Sequence, residues 1–140
     1  MPIAITGYGH IRLTVTDVAR SRAFYDDVFG FEVAFEVPAG ADHATQEQLG
    51  FLFGGVIYAV PGGLLGLRPV APSGDRFDED RVGLDHLSFA VSDEAALQEA
   101  GRVLDSIGVA HEGIKDIGAA QLLAFRDPDG IALELFFGKG

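Results

Sequence analysis

The chain has 140 residues, of which 48% are hydrophobic and 22% charged, which favours one ordinary domain with a packed core over a disordered chain. Its 21 acidic and 10 basic residues give a net charge of −11, which argues against binding to nucleic acid or to an anionic membrane surface. Cysteine is absent, which excludes disulfides, thiol nucleophiles and cysteine-based metal sites.

The first half of the chain predicts the order strand, helix, strand, strand, strand. Alternating apolar and polar residues indicate a strand over about residues 10–15. Thr16 or Asp17 can cap a helix over about residues 18–29, and Gly30 ends it. The later strands, with a loop at about 38–50 and a glycine turn at 61–63, are predicted over residues 31–37, 51–60 and 64–70.

The second half repeats this order. Gly-Tyr-Gly-His at 7–10 aligns with Gly-Leu-Asp-His at 83–86, and the same offset of 76 residues places Asp17 on Asp93. A strand at 84–91, a helix at 93–107 and strands from 109, at 121–125 and at 131–137 are predicted. The sequence therefore predicts an α+β fold in a single domain, residues 1–140. Its paired βαβββ modules cover about 7–70 and 83–137, and a polar linker covers about 71–82.

Strand parity places three potential metal ligands on the sheet faces that the helices are not expected to cover. His10, His86 and Glu134 all fall opposite the apolar residues that the helices are expected to cover. Two imidazoles and a carboxylate are a ligand set for a divalent transition metal that keeps open positions for water or substrate. The two histidines hold the same position in both modules, so we expect these side chains to converge.

Two segments resemble a known family. Residues 9–33 (GHIRLTVTDVARSRAFYDDVFGFEV) are similar to the opening module of the vicinal oxygen chelate superfamily, which includes glyoxalases, bleomycin-resistance proteins and extradiol dioxygenases. Residues 83–91 and 127–135 (DPDGIALEL) resemble its second module. The resemblance implies mixed sheets that curl into a cup with the helices on the outer face. It also implies a divalent metal (Fe, Mn, Ni, Zn or Co) and a homodimer whose site can draw ligands from two chains.

The resemblance also implies four ligand positions, which here hold His10, Gly66, His86 and Glu134. Glycine has no side chain to donate, so the four-ligand pattern of glyoxalase I is broken at Gly66. Ala124 stands where the dioxygenase signature has a tyrosine, and the cationic loop of fosfomycin transferases is not evident. The choice among lyase or isomerase, thiol transferase and dioxygenase chemistry therefore stays open.

Further residues are candidates for substrate contact. Arg12 shares the His10 face and Arg68 the Gly66 face, and a guanidinium there can pair with a carboxylate or phosphate. Three aromatic residues can wall an apolar pocket: Phe53, Tyr58 and Phe136. His43 and His111 fit neither module position and are expected to be solvated.

Two functions follow from these residues. The first is a metal-dependent enzyme that chelates the oxygens of a small-molecule substrate, with Glu134 as both metal ligand and catalytic residue. The second is a metal-free protein of the bleomycin-resistance type that sequesters a drug or metabolite, for which the −11 charge suits a cationic ligand. No signal peptide or membrane span is recognisable, so a cytoplasmic protein without a membrane or nucleic-acid partner is expected.

Overall fold

The computed structural model describes residues 1–140 and divides them into two compact units, residues 1–74 and 75–140. Each unit contains one four-stranded mixed sheet, curled but not closed, and the predicted α+β class with its βαβββ modules is confirmed. The first unit ends at residue 74 and the second begins at residue 75. The single domain with a linker at about 71–82 stays a prediction. No helix is long and apolar enough to cross a membrane.

The first unit has a sheet in the order β1-β4-β3-β2, in which β1 runs parallel to β4 and the other pairs are antiparallel. Its strands are β1 (His10–Thr14), β2 (Glu32–Phe35), β3 (Val56–Val60) and β4 (Gly63–Arg68). Its helices are α1 (Val18–Val28), the short α2 (His43–Gln48) and a 3-10 turn (Gly50–Leu52).

The second unit repeats the arrangement, with the sheet order β5-β8-β7-β6 and a parallel β5–β8 pair. Its elements are β5 (Leu87–Ala90), α3 (Glu94–Ser106), β6 (His111–Asp116), β7 (Ala120–Arg126) and β8 (Ala132–Gly138).

The helices begin where their capping residues predict. The side chain of Asp17 accepts a hydrogen bond from the Arg20 amide at 3.1 Å, and Asp93 accepts one from the Ala96 amide at 2.8 Å. Each carboxylate satisfies an amide that the first helical turn leaves without a partner. These caps fix the residues at which α1 and α3 begin, and each cap lies three residues after the end of β1 or β5.

Apolar side chains on the helices and on the helix-facing side of each sheet form the core, with leucine, valine and tyrosine in the first unit and mainly leucine in the second. In the first unit Val15, Leu67, Tyr25 and Tyr58 have no exposed surface, and in the second unit Leu133 is 1% exposed. Because side chains alternate along a strand, burial of these residues turns their neighbours to the other face of the sheet.

One segment differs from the prediction. Residues 51–55 form a turn rather than a strand, and Phe53 adopts the left-handed conformation with φ of 52°. The buried Leu52 anchors the turn, and a Cβ on Gly55 would lie 1.9 Å from the Leu67 carbonyl oxygen. Only glycine permits that approach, so Gly55 marks the packing of this turn on β4.

The phenol of Tyr58 makes the stability of the fold depend on pH in the alkaline range. Burial, together with its hydrogen bond to Asp26 (3.0 Å), raises the pKa of the Tyr58 phenol from 10.0 to about 12. Because the folded state holds the phenol proton more tightly than the unfolded state does, the raised pKa adds to the free energy of unfolding. This contribution is complete below pH 10 and is lost as the pH rises towards about 12.

We therefore expect the urea midpoint of the wild-type protein to fall between pH 10 and about 12, and to fall less in a Tyr58→Phe variant. Phenolate absorbance of the folded protein should contain a late component that is smaller in the variant. Ionisation of every tyrosine near pH 10 in the wild type would contradict this account.

Candidate metal centre

His86 is held by the residue beside it. It immediately precedes β5, and its Nδ1 lies 2.6 Å from Oδ1 of Asp85. Since an ionised carboxylate only accepts hydrogen bonds, Nδ1 carries the proton and Nε2 presents its lone pair when the ring is neutral. The hydrogen bond to Asp85 also raises the pKa of His86.

Glu134 is held by the strand that pairs with its own. In the parallel β5–β8 register it lies opposite Ser88, whose hydroxyl donates to Glu134 Oε1 at 2.9 Å. The other carboxylate oxygen, Oε2, lies 3.8 Å from His86 Nε2. The Glu134 side chain is 15% exposed, so it is sheltered but open to a ligand.

The His86–Glu134 pair lies close to the spacing of two ligands of one metal ion. Bonds from a divalent ion to imidazole nitrogen and to carboxylate oxygen are each about 2.1 Å long, so two ligands lie about 3.0–3.4 Å apart at right or tetrahedral angles and about 4.2 Å apart only on opposite sides of the ion. The observed 3.8 Å lies between these values, so a shift of a few tenths of an ångström brings both atoms to tetrahedral spacing. Asp85 and Ser88 supply the outer hydrogen bonds that orient metal-binding imidazoles and carboxylates.

The third predicted ligand, His10, belongs to the first unit, where it is the first residue of β1 and is exposed. No group of three or more histidine, cysteine, aspartate or glutamate side chains is arranged to hold a metal ion. The structure therefore brings together His86 and Glu134, and the role of His10 as a ligand stays a prediction from the repeat.

His86 and Glu134 open onto a cavity of about 550 Å³ in the second unit. His111 also lines it, although the sequence predicts a solvated residue there. The His111 side chain is only 15% exposed, its Nδ1 accepts from the Gly113 amide at 3.1 Å, and its Nε2 lies 2.7 Å from Asp105. Both ring nitrogens are engaged, so His111 shapes the cavity and is not a spare ligand.

An arginine lines the same cavity and is paired with a carboxylate. Arg126 donates to Glu79 at 2.6 and 3.0 Å, and this pairing lowers the pKa of Glu79 to about 2. The positive charge of Arg126 is thus compensated within the second unit.

The first unit has a smaller cavity, of about 280 Å³, which His10 and Arg12 line. The other lining residues are Phe35, Phe51, Ile57, Leu64 and Gly66. Arg12 was predicted to share a face with His10, and the structure places both side chains on this cavity.

The remaining predicted substrate contacts lie elsewhere. Tyr58 is a core residue rather than a pocket wall, because its position in β3 points it under α1, where it bonds Asp26. Phe53 is 54% exposed, and the Arg68 guanidinium carbon lies 4.3 Å from its ring centroid, so these two residues contact each other. Phe136 is 36% exposed on β8 and lines neither cavity.

Asp85 and Ser88 were not predicted as site residues. Asp85 lies in the Gly-Leu-Asp-His motif itself, and a carboxylate beside a candidate ligand histidine is a signal that sequence inspection can use. The role of Ser88 depends on the register between β5 and β8, which strand parity alone does not give.

The sequence of this chain is similar to those of one known superfamily. The family model "Glyoxalase/Bleomycin resistance protein/Dioxygenase superfamily" matches residues 7–135. The chain belongs to this superfamily. The predicted resemblance to vicinal oxygen chelate proteins is thereby confirmed.

Three relatives illustrate the similarity. The uncharacterized protein YaeR of Escherichia coli K12 is 33% identical over 129 residues, covering 91% of this chain and 92% of YaeR. A glyoxylase/bleomycin resistance protein/dioxygenase domain from Frankia is 29% identical, with a TM-score of 0.77 and coverage of 97% and 94% of the two chains. FosX from Listeria monocytogenes, a fosfomycin resistance protein solved with Mn(II) and sulfate, is 19% identical, with a TM-score of 0.69 and coverage of 97% and 93%.

Proposed function

We propose that this chain is a metal-dependent enzyme that acts on a small molecule, with a divalent metal held by His86, Glu134 and His10. The oriented His86–Glu134 pair carries the proposal, since its atoms lie 3.8 Å apart and each side chain has an outer hydrogen-bond partner. His10 enters through the sequence repeat. The donor set fits iron, manganese, cobalt, nickel or zinc in the divalent state.

A bound divalent metal supplies Lewis acidity, polarising a substrate oxygen and stabilising negative charge that develops on it. The residues of this chain prepare the site for that chemistry. Asp85 holds the His86 tautomer that leaves Nε2 available, and Ser88 holds one oxygen of Glu134 so that the other faces His86. Membership of the superfamily is compatible with isomerase or lyase, thiol transferase and dioxygenase reactions. Which of these reactions takes place depends on the substrate.

Metal analysis tests the proposal. Protein purified without a histidine tag and dialysed against each ion should retain about one divalent ion per chain, measured by plasma mass spectrometry. No retained metal, together with tight binding of a cationic drug that His10→Ala and His86→Ala leave intact, would instead establish a metal-free binding protein. Sedimentation at equilibrium, with and without metal, tests the predicted homodimer.

Asp85 gives a second prediction. Asp85→Asn removes the carboxylate that fixes the His86 tautomer, and such outer partners typically change metal affinity about 10–100-fold. We expect a loss of that size for manganese(II) or zinc(II) in calorimetric titrations. Asp105→Asn, which alters the partner of His111 instead, is the matched control and should leave the affinity unchanged. Equal affinities for the wild type and Asp85→Asn would show that this hydrogen bond does not orient a ligand.

A further inference from the structure

Strand register shows that the two units carry different residues at one pair of equivalent positions. In the second unit Ser88 of β5 lies opposite Glu134 of β8. In the first unit the same register places Arg12 of β1 opposite Gly66 of β4. Arg12 and Ser88 each lie two residues after the candidate ligand histidine of their unit, His10 or His86. The first unit therefore has a cation and a glycine where the second has a hydroxyl and a carboxylate.

Gly66 makes room for Arg12. A Cβ built on Gly66 would lie 2.9 Å from Cγ of Arg12 and 3.5 Å from its Cδ. The aliphatic part of Arg12 thus fills the space that a side chain at position 66 would need. The arginine at position 12 and the glycine at position 66 therefore depend on each other sterically.

The Arg12 guanidinium is not fully satisfied. Its Nη2 donates to the Phe51 carbonyl oxygen, but its Nε is buried and has no hydrogen-bond partner. A buried N–H without an acceptor is costly, more so on a charged group. Arg126, the arginine on the other cavity, is by contrast paired with Glu79.

The cavity around Arg12 lacks a compensating negative charge. Its volume is about 280 Å³, and no aspartate or glutamate lines it. Apart from His10, Arg12 and Gly66, its walls are apolar, formed by Phe35, Phe51, Ile57 and Leu64. A planar guanidinium in an apolar cavity matches a planar carboxylate on an apolar body.

We propose that this cavity binds the carboxylate of a small apolar acid, with Arg12 as the residue that recognises the anion. This proposal rests on the proposed function for one point, that the bound acid is a substrate. It deepens that function by naming the substrate class as an apolar carboxylic acid held beside His10. Anion recognition itself needs no metal. The net charge of −11 opposes an anion only weakly here, because no carboxylate lines the cavity and salt screens the more distant charges.

Titration of metal-free protein with phenylacetate and with its uncharged analogue phenylacetamide tests the proposal. Phenylacetate should bind at least about tenfold more tightly, since only it offers the carboxylate. The guanidinium N–H resonances of Arg12 in the wild-type protein should shift with phenylacetate alone, a readout that needs no variant. Equal affinity for the two compounds, or an unmoved Arg12 resonance, would overturn the proposal.

Variants sharpen the test. Arg12→Gln should lose the preference for phenylacetate, whereas Arg102→Gln, at a surface ion pair with Glu99, should keep it. The double variant Arg12→Ser with Gly66→Glu reproduces the pair that the second unit accommodates, so it should fold and lose the preference. A preference that survives in either Arg12 variant would contradict the proposal. Metal content is measured in parallel: phenylacetate binding without metal binding would refute the proposed function alone, and the reverse result would refute this inference alone.

Discussion

A Glu134→Ala variant is expected to bind divalent metal about a thousandfold more weakly than the wild type. Loss of an outer partner alone typically costs about 10–100-fold, and loss of a direct ligand removes both a bond and the negative charge that balances the ion. In this chain the loss would also leave His86 Nε2 without the carboxylate that lies 3.8 Å away. Calorimetric titration of metal-stripped protein with manganese(II) and zinc(II) measures the effect.

The chain offers a matched control for this variant. His43 Nε2 lies 3.1 Å from Glu47 on the surface of α2, with both side chains largely exposed. Glu47→Ala therefore removes a histidine-paired carboxylate outside the proposed centre, and metal affinity should stay at the wild-type value. His86→Ala should match Glu134→Ala. If Glu47→Ala weakens binding as much as Glu134→Ala does, the bound metal is held by surface histidines rather than by the proposed centre.

An Asp127→Ala variant is expected to lose about 2–4 kcal/mol of unfolding free energy. Asp127 is 5% exposed, and its Oδ1 accepts hydrogen bonds of 2.9 Å from the amides of Asp129 and Ile131. Removing the carboxylate leaves two buried amides without this acceptor. The turn joins β7 to β8, so its loosening should also disturb Glu134 and weaken metal binding. Urea denaturation monitored by circular dichroism measures the stability change.

Asp127→Asn is the control for this turn, since its amide oxygen can accept the same two hydrogen bonds. It should lose much less stability than Asp127→Ala. Equal losses in the two variants would mean that the charge of Asp127, rather than its acceptor geometry, stabilises the turn.

Much of the fold follows from local signals in the sequence. Asp17 and Asp93 mark the starts of the two long helices, and the glycines that follow, Gly30 and Gly108, adopt left-handed φ values of 64° and 74°. Capping and left-handed backbone are determined by a few adjacent residues, so a single sequence is sufficient to predict them. Strand parity likewise separates Glu134 from its neighbours Leu133 and Leu135, which are 1% and 7% exposed.

What the sequence left open depends on contacts between distant residues. The turn at 51–55 reads as a continuation of β3 because Phe51 and Phe53 are typical strand residues, and only its packing on Leu67 shows otherwise. Tyr58 appears as an available aromatic until the structure places it against Asp26. The pairing of Arg12 with Gly66 requires the register between β1 and β4, which no local pattern encodes.

A crystal of the metal-loaded protein, with diffraction recorded on either side of the absorption edge of the added metal, tests the central claim most directly. We predict one anomalous peak per chain within about 2.3 Å of both His86 Nε2 and Glu134 Oε2, with His10 completing the ligand set. A peak confined to surface histidines such as His43, or no peak in protein loaded at saturating metal, would contradict the account.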